Sequence, residues 1–155
     1  KDYIHESNLQ DTVSQIAEAC DAIVRSNMAE TRRILDTLTT RYPLVLVSNF
    51  YGNIHAVLQS YGIDGYFKDV IESAVVGIRK PDPQIFALGI EALALSPDEV
   101  LVVGDSYSKD VIPAHSLGCH TMWLKGKGWN TSDESIDTPC ADRVIKHLAE
   151  VLESV

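Results

Sequence analysis

Two short apolar runs, residues 44–47 and 101–103, each end in small polar residues. Runs of this length that are rich in Val and Leu are typical of strands buried on both faces of a parallel sheet. From residue 44 onward, strand-like runs alternate with helix-like segments, which predicts an α/β fold with a doubly wound parallel sheet. Ligands of such sheets bind at the carboxyl ends of the strands, so the polar residues behind the two runs are the first candidates for a site.

Periodicity and the positions of proline and glycine predict the remaining elements. Helices are expected at residues 54–62, 83–95 and 113–118. Further strands are expected at residues 67–73 and 120–125. A loop is expected at residues 126–139, and a short strand or turn and then a helix in residues 142–154.

The first 43 residues show no strand signal. Apolar residues at helical spacing form one stripe from Ile16 to Ile23 and another from Ile34 to Leu38. We expect two helices here, the second starting near residue 29 and ending before the Tyr42-Pro43 pair. A boundary near residues 41–44 would then separate a helical piece from the α/β piece.

The composition limits the kinds of partner. The chain has 155 residues, 45% of them hydrophobic, enough for one α/β domain with a sizeable core. Its formal net charge of −9 argues against nucleic acid and anionic membranes as partners, since both select a basic face. Cys20, Cys119 and Cys140 are odd in number and show no C-x-x-C or zinc-like spacing, and no apolar run is long enough to span a bilayer. These features predict a soluble protein of the reducing cytoplasm.

A hydroxyl, an ammonium and two carboxylates are expected at one edge of the sheet. Ser48 follows the first run, and Lys80 lies in the loop before the helix that begins at Pro83. Asp105 and Asp110 follow the strand at residues 101–103. This set suits phosphoryl transfer, because a hydroxyl and backbone N–H groups hold phosphoryl oxygens, a lysine offsets their charge and carboxylates bind Mg²⁺. The ordinary alternatives are that the serine and the aspartates cap turns or helices and that the lysine is a solvated surface residue.

The order of three segments resembles a known family. "LVLVSN" at residues 44–49, "GIRKPDPQIF" at 77–86 and "VVGDSYSKD" at 102–110 resemble the second, third and fourth motifs of the haloacid dehalogenase-like (HAD) hydrolases. The resemblance implies a Rossmann-like core at residues 44–155. Residues 1–43 resemble the latter part of the α-helical cap that many members insert after their first motif.

The resemblance implies a role for each motif residue. Ser48 would bind a phosphoryl oxygen, with Asn49 alongside through its backbone, and Lys80 would neutralise the phosphoryl group and the nucleophile.

Asp105 would coordinate Mg²⁺ directly, and Asp110 directly or through water. Ser106 would donate or accept a supporting hydrogen bond beside these ligands. The presence of both acids favours a Mg²⁺-dependent phosphatase over the metal-free dehalogenases of the superfamily, which remain the alternative.

The first motif of the family has no counterpart in this chain. The family's nucleophile is the first aspartate of an Asp-x-Asp motif that closes a central strand, and no Asp-x-Asp occurs anywhere in the 155 residues. Loss of that strand would leave a gap inside the sheet with unpaired backbone groups on both sides. We therefore expect a fragment of a longer hydrolase that is inactive alone. The alternatives are a gap closed by another chain or by repacking of the sheet, and self-association is open as well.

Two non-enzymatic functions compete with this one. Receiver domains of two-component signalling also combine Asp, Ser or Thr, and Lys at strand ends, but their acidic pair precedes the hydroxyl and the lysine. A catalytically inactive regulatory module on the same scaffold would also lack the first motif. For the enzyme, we expect a small soluble phosphomonoester as substrate, with sugar phosphates, phosphoglycolate and nucleoside monophosphates all open.

Overall fold

The computed structural model describes residues 6–126 and 138–155, with side chains from residue 9 onward. The helices are α1 (Glu6–Thr39), α2 (Ile54–Ser60), α3 (Ser73–Val76), α4 (Gln84–Leu93) and α5 (Ile112–Ser116). The strands are β1 (Val45–Ser48), β2 (Asp69–Glu72), β3 (Leu101–Gly104), β4 (His120–Leu124) and β5 (Arg143–Ile145). Short 3₁₀ turns lie at Asp64–Tyr66, Pro97–Glu99 and Leu148–Glu153, and a π-helical turn lies at Tyr107–Val111.

All described strand pairs are parallel, but they form two sheets. β1 pairs with β2, and β3, β4 and β5 form the second sheet in that order. Within the described residues, no ladder joins β1 to β3. The prediction of a parallel α/β fold is confirmed, and the two sheets are separated by a break between β1 and β3.

One helix packs across the break on each face of the two sheets. On one face, α1 places Leu35 in a cluster with Leu46 of β1 and Leu38 in a cluster with Val103 of β3. On the other face, α4 buries Ile85 and Phe86 against residues of both sheets. The two sheets are therefore held side by side by helix packing rather than by hydrogen bonds between strands.

A glycine allows α4 to approach β1 closely. A Cβ atom at Gly89 would lie 3.1 Å from Cγ2 of Val47 and 3.6 Å from Cγ1 of Val45. Because such a contact is tighter than ordinary packing, a larger residue at position 89 would push the helix away from the strand.

A cavity of about 510 Å³ lies beside the sheet of β3, β4 and β5. Its lining includes Leu44 just before β1, Leu101 and Val103 of β3, and Leu38 near the end of α1. The cavity thus lies along β3 and reaches the residue that precedes β1.

The prediction of two helices in the first 43 residues is wrong, because α1 is one helix of 34 residues. No glycine or proline occurs between residues 6 and 39, so nothing in the backbone forces a break. The apolar stripe of its first half is exposed, with Ile16 at 59% and Ile23 at 64%. Since the last turns of α1 share the core of the sheets, the division at residue 43 stays a prediction.

The predicted end of α2 is confirmed in detail. Gly62 has a φ of +64°, donates its N–H to the Gln59 carbonyl, and is followed by Ile63, whose N–H reaches the Leu58 carbonyl. This is the Schellman arrangement, and it favours glycine because the left-handed conformation strains other residues.

Most of the predicted loop at residues 126–139 lies outside the described residues. None of the described helices is both long and apolar enough to cross a bilayer.

Candidate active site

The predicted site residues come from the carboxyl ends of two strands and from one loop. Ser48 is the last residue of β1, and Asp105 directly follows β3. Lys80 lies between α3 and α4, and Asp110 lies in the π-helical turn that begins α5. These ends meet at one rim, as the parallel topology predicts.

Lys80 and Asp110 form an ion pair at this rim. The Lys80 Nζ lies 2.6 Å from Oδ1 of Asp110, and the two side chains are 17% and 5% exposed. The other carboxylate oxygen, Oδ2, accepts the Ser106 N–H at 3.0 Å. Because both oxygens have a donor, the carboxylate keeps its charge compensated although it is buried.

The end of β3 leaves room for this carboxylate only because residue 104 is a glycine. A Cβ atom at Gly104 would lie 2.3 Å from Cβ and 2.6 Å from Cγ of Asp110. No side chain can occupy that space while Asp110 keeps its position. The glycine before Asp105 is therefore a packing requirement of the Asp110 site.

Asn49 connects the end of β1 to the Lys80 loop. Its Oδ1 accepts the Lys80 N–H at 2.8 Å, and its Nδ2 donates to the Lys80 carbonyl at 3.0 Å. The amide side chain thus pairs with both backbone groups of one residue. The sequence assigned Asn49 a role through its backbone, whereas its side chain positions the lysine.

Ser48 and Asp105 hold the groups that are free to meet a ligand. Within the described part of the chain, neither the Ser48 hydroxyl nor the Asp105 carboxylate takes part in a hydrogen bond. The backbone of Asp105 is fixed, because the Trp123 Nε1–H donates to its carbonyl at 3.0 Å. Asp105 is exposed and Ser48 is half-buried at the rim.

Ser106 supports the turn as well as Asp110. Its hydroxyl accepts the Lys109 N–H at 3.3 Å, which caps the π-helical turn, while its own N–H goes to Asp110. The predicted supporting hydrogen bond of Ser106 is therefore made through its backbone.

The described residues offer a limited set of metal ligands. No group of three or more His, Cys, Asp or Glu side chains gathers within residues 6–126 and 138–155. Mg²⁺ is commonly held by one or two carboxylates with water in the remaining positions. The Asp105 carboxylate fits such a site as a direct ligand, whereas the oxygens of Asp110 already bind Lys80 and Ser106.

Sequence reasoning missed two residues of the rim, Glu72 and Ser73. Glu72 ends β2 opposite Ser48 in the register, is 2% exposed, and accepts the Gly52 N–H. The Ser73 hydroxyl accepts the Phe50 N–H at 3.2 Å and lies 3.3 Å from the Phe50 carbonyl. The available signal was a charged residue at the end of an apolar run, the same pattern that drew attention to Asp105.

Comparison with known proteins decides the family. The family model described as haloacid dehalogenase-like hydrolase matches residues 3–118, about three quarters of the chain. This chain belongs to the HAD-like hydrolases.

Curated relatives in this family include phosphatases. The chain is 33% identical over 91 residues to a glyceraldehyde 3-phosphate phosphatase of Pyrococcus furiosus. The aligned region covers 59% of this chain and 38% of that protein. It is 35% identical over 92 residues to a phosphoserine phosphatase of Thermus thermophilus, covering 59% of this chain and 37% of that protein. The chain thus spans less than half of the length of these relatives.

Solved structures show the same architecture. A HAD phosphatase from Thermococcus onnurineus superposes with a TM-score of 0.68 at 32% identity, covering 79% of this chain and 54% of that one. The family assignment and the Rossmann-like α/β fold predicted from the sequence are both confirmed.

Proposed function

We propose that this chain contributes most of the active-site residues of a phosphatase that hydrolyses small soluble phosphomonoesters. The observation that supports it best is the joint position of Asn49, Lys80 and Asp110 beside the free groups of Ser48 and Asp105. One anion at this rim would meet a hydroxyl, an ammonium and a carboxylate that can hold a cation. The named phosphatases among the relatives support the same reaction class.

Each residue has a distinct task in this proposal. Ser48 donates a hydrogen bond from its hydroxyl to a phosphoryl oxygen, and the Asn49 backbone binds beside it. Lys80 offsets the negative charge of the phosphoryl group and of the nucleophile. Such fixed charges lower the barrier where charge is redistributed in the transition state.

Asp105 would hold Mg²⁺, which when bound supplies positive charge to the phosphoryl oxygens. Asp110 has a second task besides the predicted metal contact. Its ion pair fixes the Lys80 ammonium at the rim, and its bond from Ser106 fixes the residue next to Asp105.

The nucleophile of the proposed reaction comes from a strand that occupies the space between β1 and β3. A parallel strand there would pair with the edges of β1 and β3 that have no partner strand among the described residues, and it would end between Ser48 and Asp105. An aspartate at that end attacks phosphorus and forms an aspartyl phosphate, while the alcohol leaves with a proton from a second acid. Water then hydrolyses the aspartyl phosphate to restore the carboxylate and release phosphate.

The strand has two conceivable sources, a preceding segment of a longer protein or another chain. We propose the first source, because a strand in the same polypeptide avoids the entropy lost in association. In that protein, residues 1–43 would form the second part of a cap and residues 44–155 the core. Location in the cytoplasm stays a prediction.

A metal-free dehalogenase remains the second candidate. It is favoured by the single observation that Asp110 is engaged by Lys80, which leaves Asp105 as the one carboxylate of the motif without a partner among the described residues. An inactive regulatory module stays an alternative on the ground that Asp-x-Asp is missing from these residues.

The test compares two proteins in a phosphate-release assay with a panel of phosphomonoesters. One is the 155-residue chain, and the other is the product of the longest reading frame that contains it. We expect release by the longer protein, loss of release when EDTA removes the metal, and no release by the shorter chain. Full activity of the 155-residue chain alone would contradict the proposed source of the nucleophile, and chloride release from 2-chloroacids without metal would support the dehalogenase instead.

A further inference from the structure

The loop that follows Ser48 is held by hydrogen bonds to two residues, Glu72 at the end of β2 and Ser73 at the start of α3. Phe50 is bound through both backbone groups to the Ser73 hydroxyl, and the Gly52 N–H is bound to the Glu72 carboxylate. Tyr51 lies between these two anchored residues. A loop fixed on both sides of one residue presents that residue in a defined place.

The Tyr51 side chain is 90% exposed at the centre of this rigid loop. Its ring lies 5.5 Å from the Phe50 ring at an angle of 55°, and Phe50 is packed against the core cluster under β1. Tilted contacts of this kind orient an aromatic ring. Tyr51 is therefore oriented by Phe50 while most of its surface stays open.

A buried carboxylate is a costly way to hold a loop. Glu72 is 2% exposed and lies at the rim where the proposed phosphoryl group, also negative, would bind. A neutral acceptor would avoid both the desolvation and the repulsion. Ionised acceptors make stronger bonds to N–H groups, so a carboxylate is suited to a loop that must stay in place when a ligand arrives.

Tyr51 is within reach of the proposed anion site. It is three residues beyond Ser48, so their Cα atoms are at most about 11 Å apart. At this separation, the organic group of a phosphomonoester that accepts a hydrogen bond from the Ser48 hydroxyl can reach the Tyr51 ring. Among the described residues, the Tyr51 N–H also has no acceptor, which leaves it available to the same ligand.

We propose that Tyr51 is a specificity-determining residue that contacts the organic group of the substrate, and that Glu72 is a positioning residue that holds the Tyr51 loop. The proposal rests on the proposed function and narrows its substrate class to phosphomonoesters whose organic group offers a flat or apolar face.

The test measures binding to the 155-residue chain by amide chemical-shift titration with magnesium present. The probes are phenyl phosphate, which has a flat group, and inorganic phosphate, which has none. We expect Tyr51→Ala to weaken phenyl phosphate binding roughly three- to tenfold, the range of a single aromatic contact. The affinity for inorganic phosphate should change by less than about twofold. Tyr51→Phe keeps the ring and should bind both probes as the unchanged chain does.

Glu72 is tested by a pair of variants and a second readout. Glu72→Ala removes the acceptor and should speed hydrogen exchange of the Gly52 amide at least about tenfold. It should also lower the affinity for phenyl phosphate as much as Tyr51→Ala does. Glu72→Gln retains an acceptor oxygen and should restore most of both properties. If Glu72→Ala lowers the affinity for phenyl phosphate and for inorganic phosphate to the same degree, Glu72 has a general structural role and the positioning role is overturned.

The outcomes separate the inference from the function on which it rests. If the unchanged chain binds both probes and Tyr51→Ala has no selective effect, the inference about Tyr51 is wrong and the phosphoryl site stands. If neither the unchanged chain nor the longer protein binds either probe, the phosphoryl site itself is wrong and the inference falls with it.

Discussion

The Lys80 ammonium lies 2.6 Å from the Asp110 carboxylate, and the Asn49 side chain binds both the N–H and the carbonyl of Lys80. One lysine thus joins the loop after β1 to the turn after β3. Since no strand ladder joins β1 and β3 among the described residues, this contact connects the two sheets at the rim.

Lys80→Ala should destabilise the 155-residue chain by about 3–5 kcal/mol, because it leaves the Asp110 charge buried without its partner. The double variant Lys80→Met, Asp110→Asn removes both charges and should recover more than half of that loss. Urea unfolding followed by Trp fluorescence measures both. Equal stability of Lys80→Ala and the unchanged chain would mean that the pair contributes nothing to the fold.

In the longer protein, the same Lys80→Ala change should lower kcat by about a hundredfold or more rather than only raise KM. The charge of Lys80 is needed most where phosphoryl charge is redistributed. Lys68, an exposed lysine with its Nζ near the Leu93 carbonyl, provides a control, since Lys68→Ala should leave kcat unchanged. A change in KM alone for Lys80→Ala would show that the lysine only binds substrate.

Asp105→Asn should weaken Mg²⁺ binding and sharply lower turnover in the longer protein while the fold is kept. The Asp105 carboxylate is exposed and unbonded among the described residues, so its replacement costs the fold little, whereas its backbone stays fixed by Trp123. The measurement is the magnesium concentration at half-maximal activity, together with the urea midpoint. Undiminished turnover would rule out Asp105 as a metal ligand.

Gly104→Ala should destabilise the chain by about 1–3 kcal/mol, the usual range for overpacking, because the new methyl group overlaps the Asp110 side chain. Gly65→Ala is the matched control, since a Cβ atom at Gly65 meets nothing within 4 Å. Thermal unfolding of the two variants measures the difference. The same small effect for both would show that Asp110 does not pack on residue 104.

Two variants of α1 test whether the apolar stripe of its first half is open. Leu35→Ala removes a buried side chain and should cost about 2–5 kcal/mol, whereas Ile23→Ala, at a position 64% exposed, should cost less than about 0.5 kcal/mol. Urea unfolding at two protein concentrations provides the measurement. A large, concentration-dependent cost for Ile23→Ala would indicate that self-association covers the stripe.

The sequence predicted those parts of the fold that local patterns determine. Alternating runs located β1, β3 and β4, and Gly62 and Pro83 located helix ends, because turn and strand preferences act over a few residues. The length of α1 was missed, since two separate apolar stripes suggest two helices although the backbone can continue between them. Asp105 and Asp110 were predicted as metal ligands, but the ion pair of Asp110 with Lys80 was not predicted, because only the three-dimensional packing shows that Asp110 lies on Gly104 and faces Lys80. Glu72 and Tyr51 escaped notice for the same reason: each gains its place from contacts between segments twenty residues apart.

The most direct measurement is the intact mass of the longer protein, quenched in acid during turnover of a phosphomonoester and then mapped by peptide mass. The account predicts one phosphoryl group on an aspartate of the longer protein that precedes residue 1, in a strand that fits between β1 and β3. A phosphoryl group on Ser48, or steady phosphate release with no phosphorylated aspartate, would contradict it.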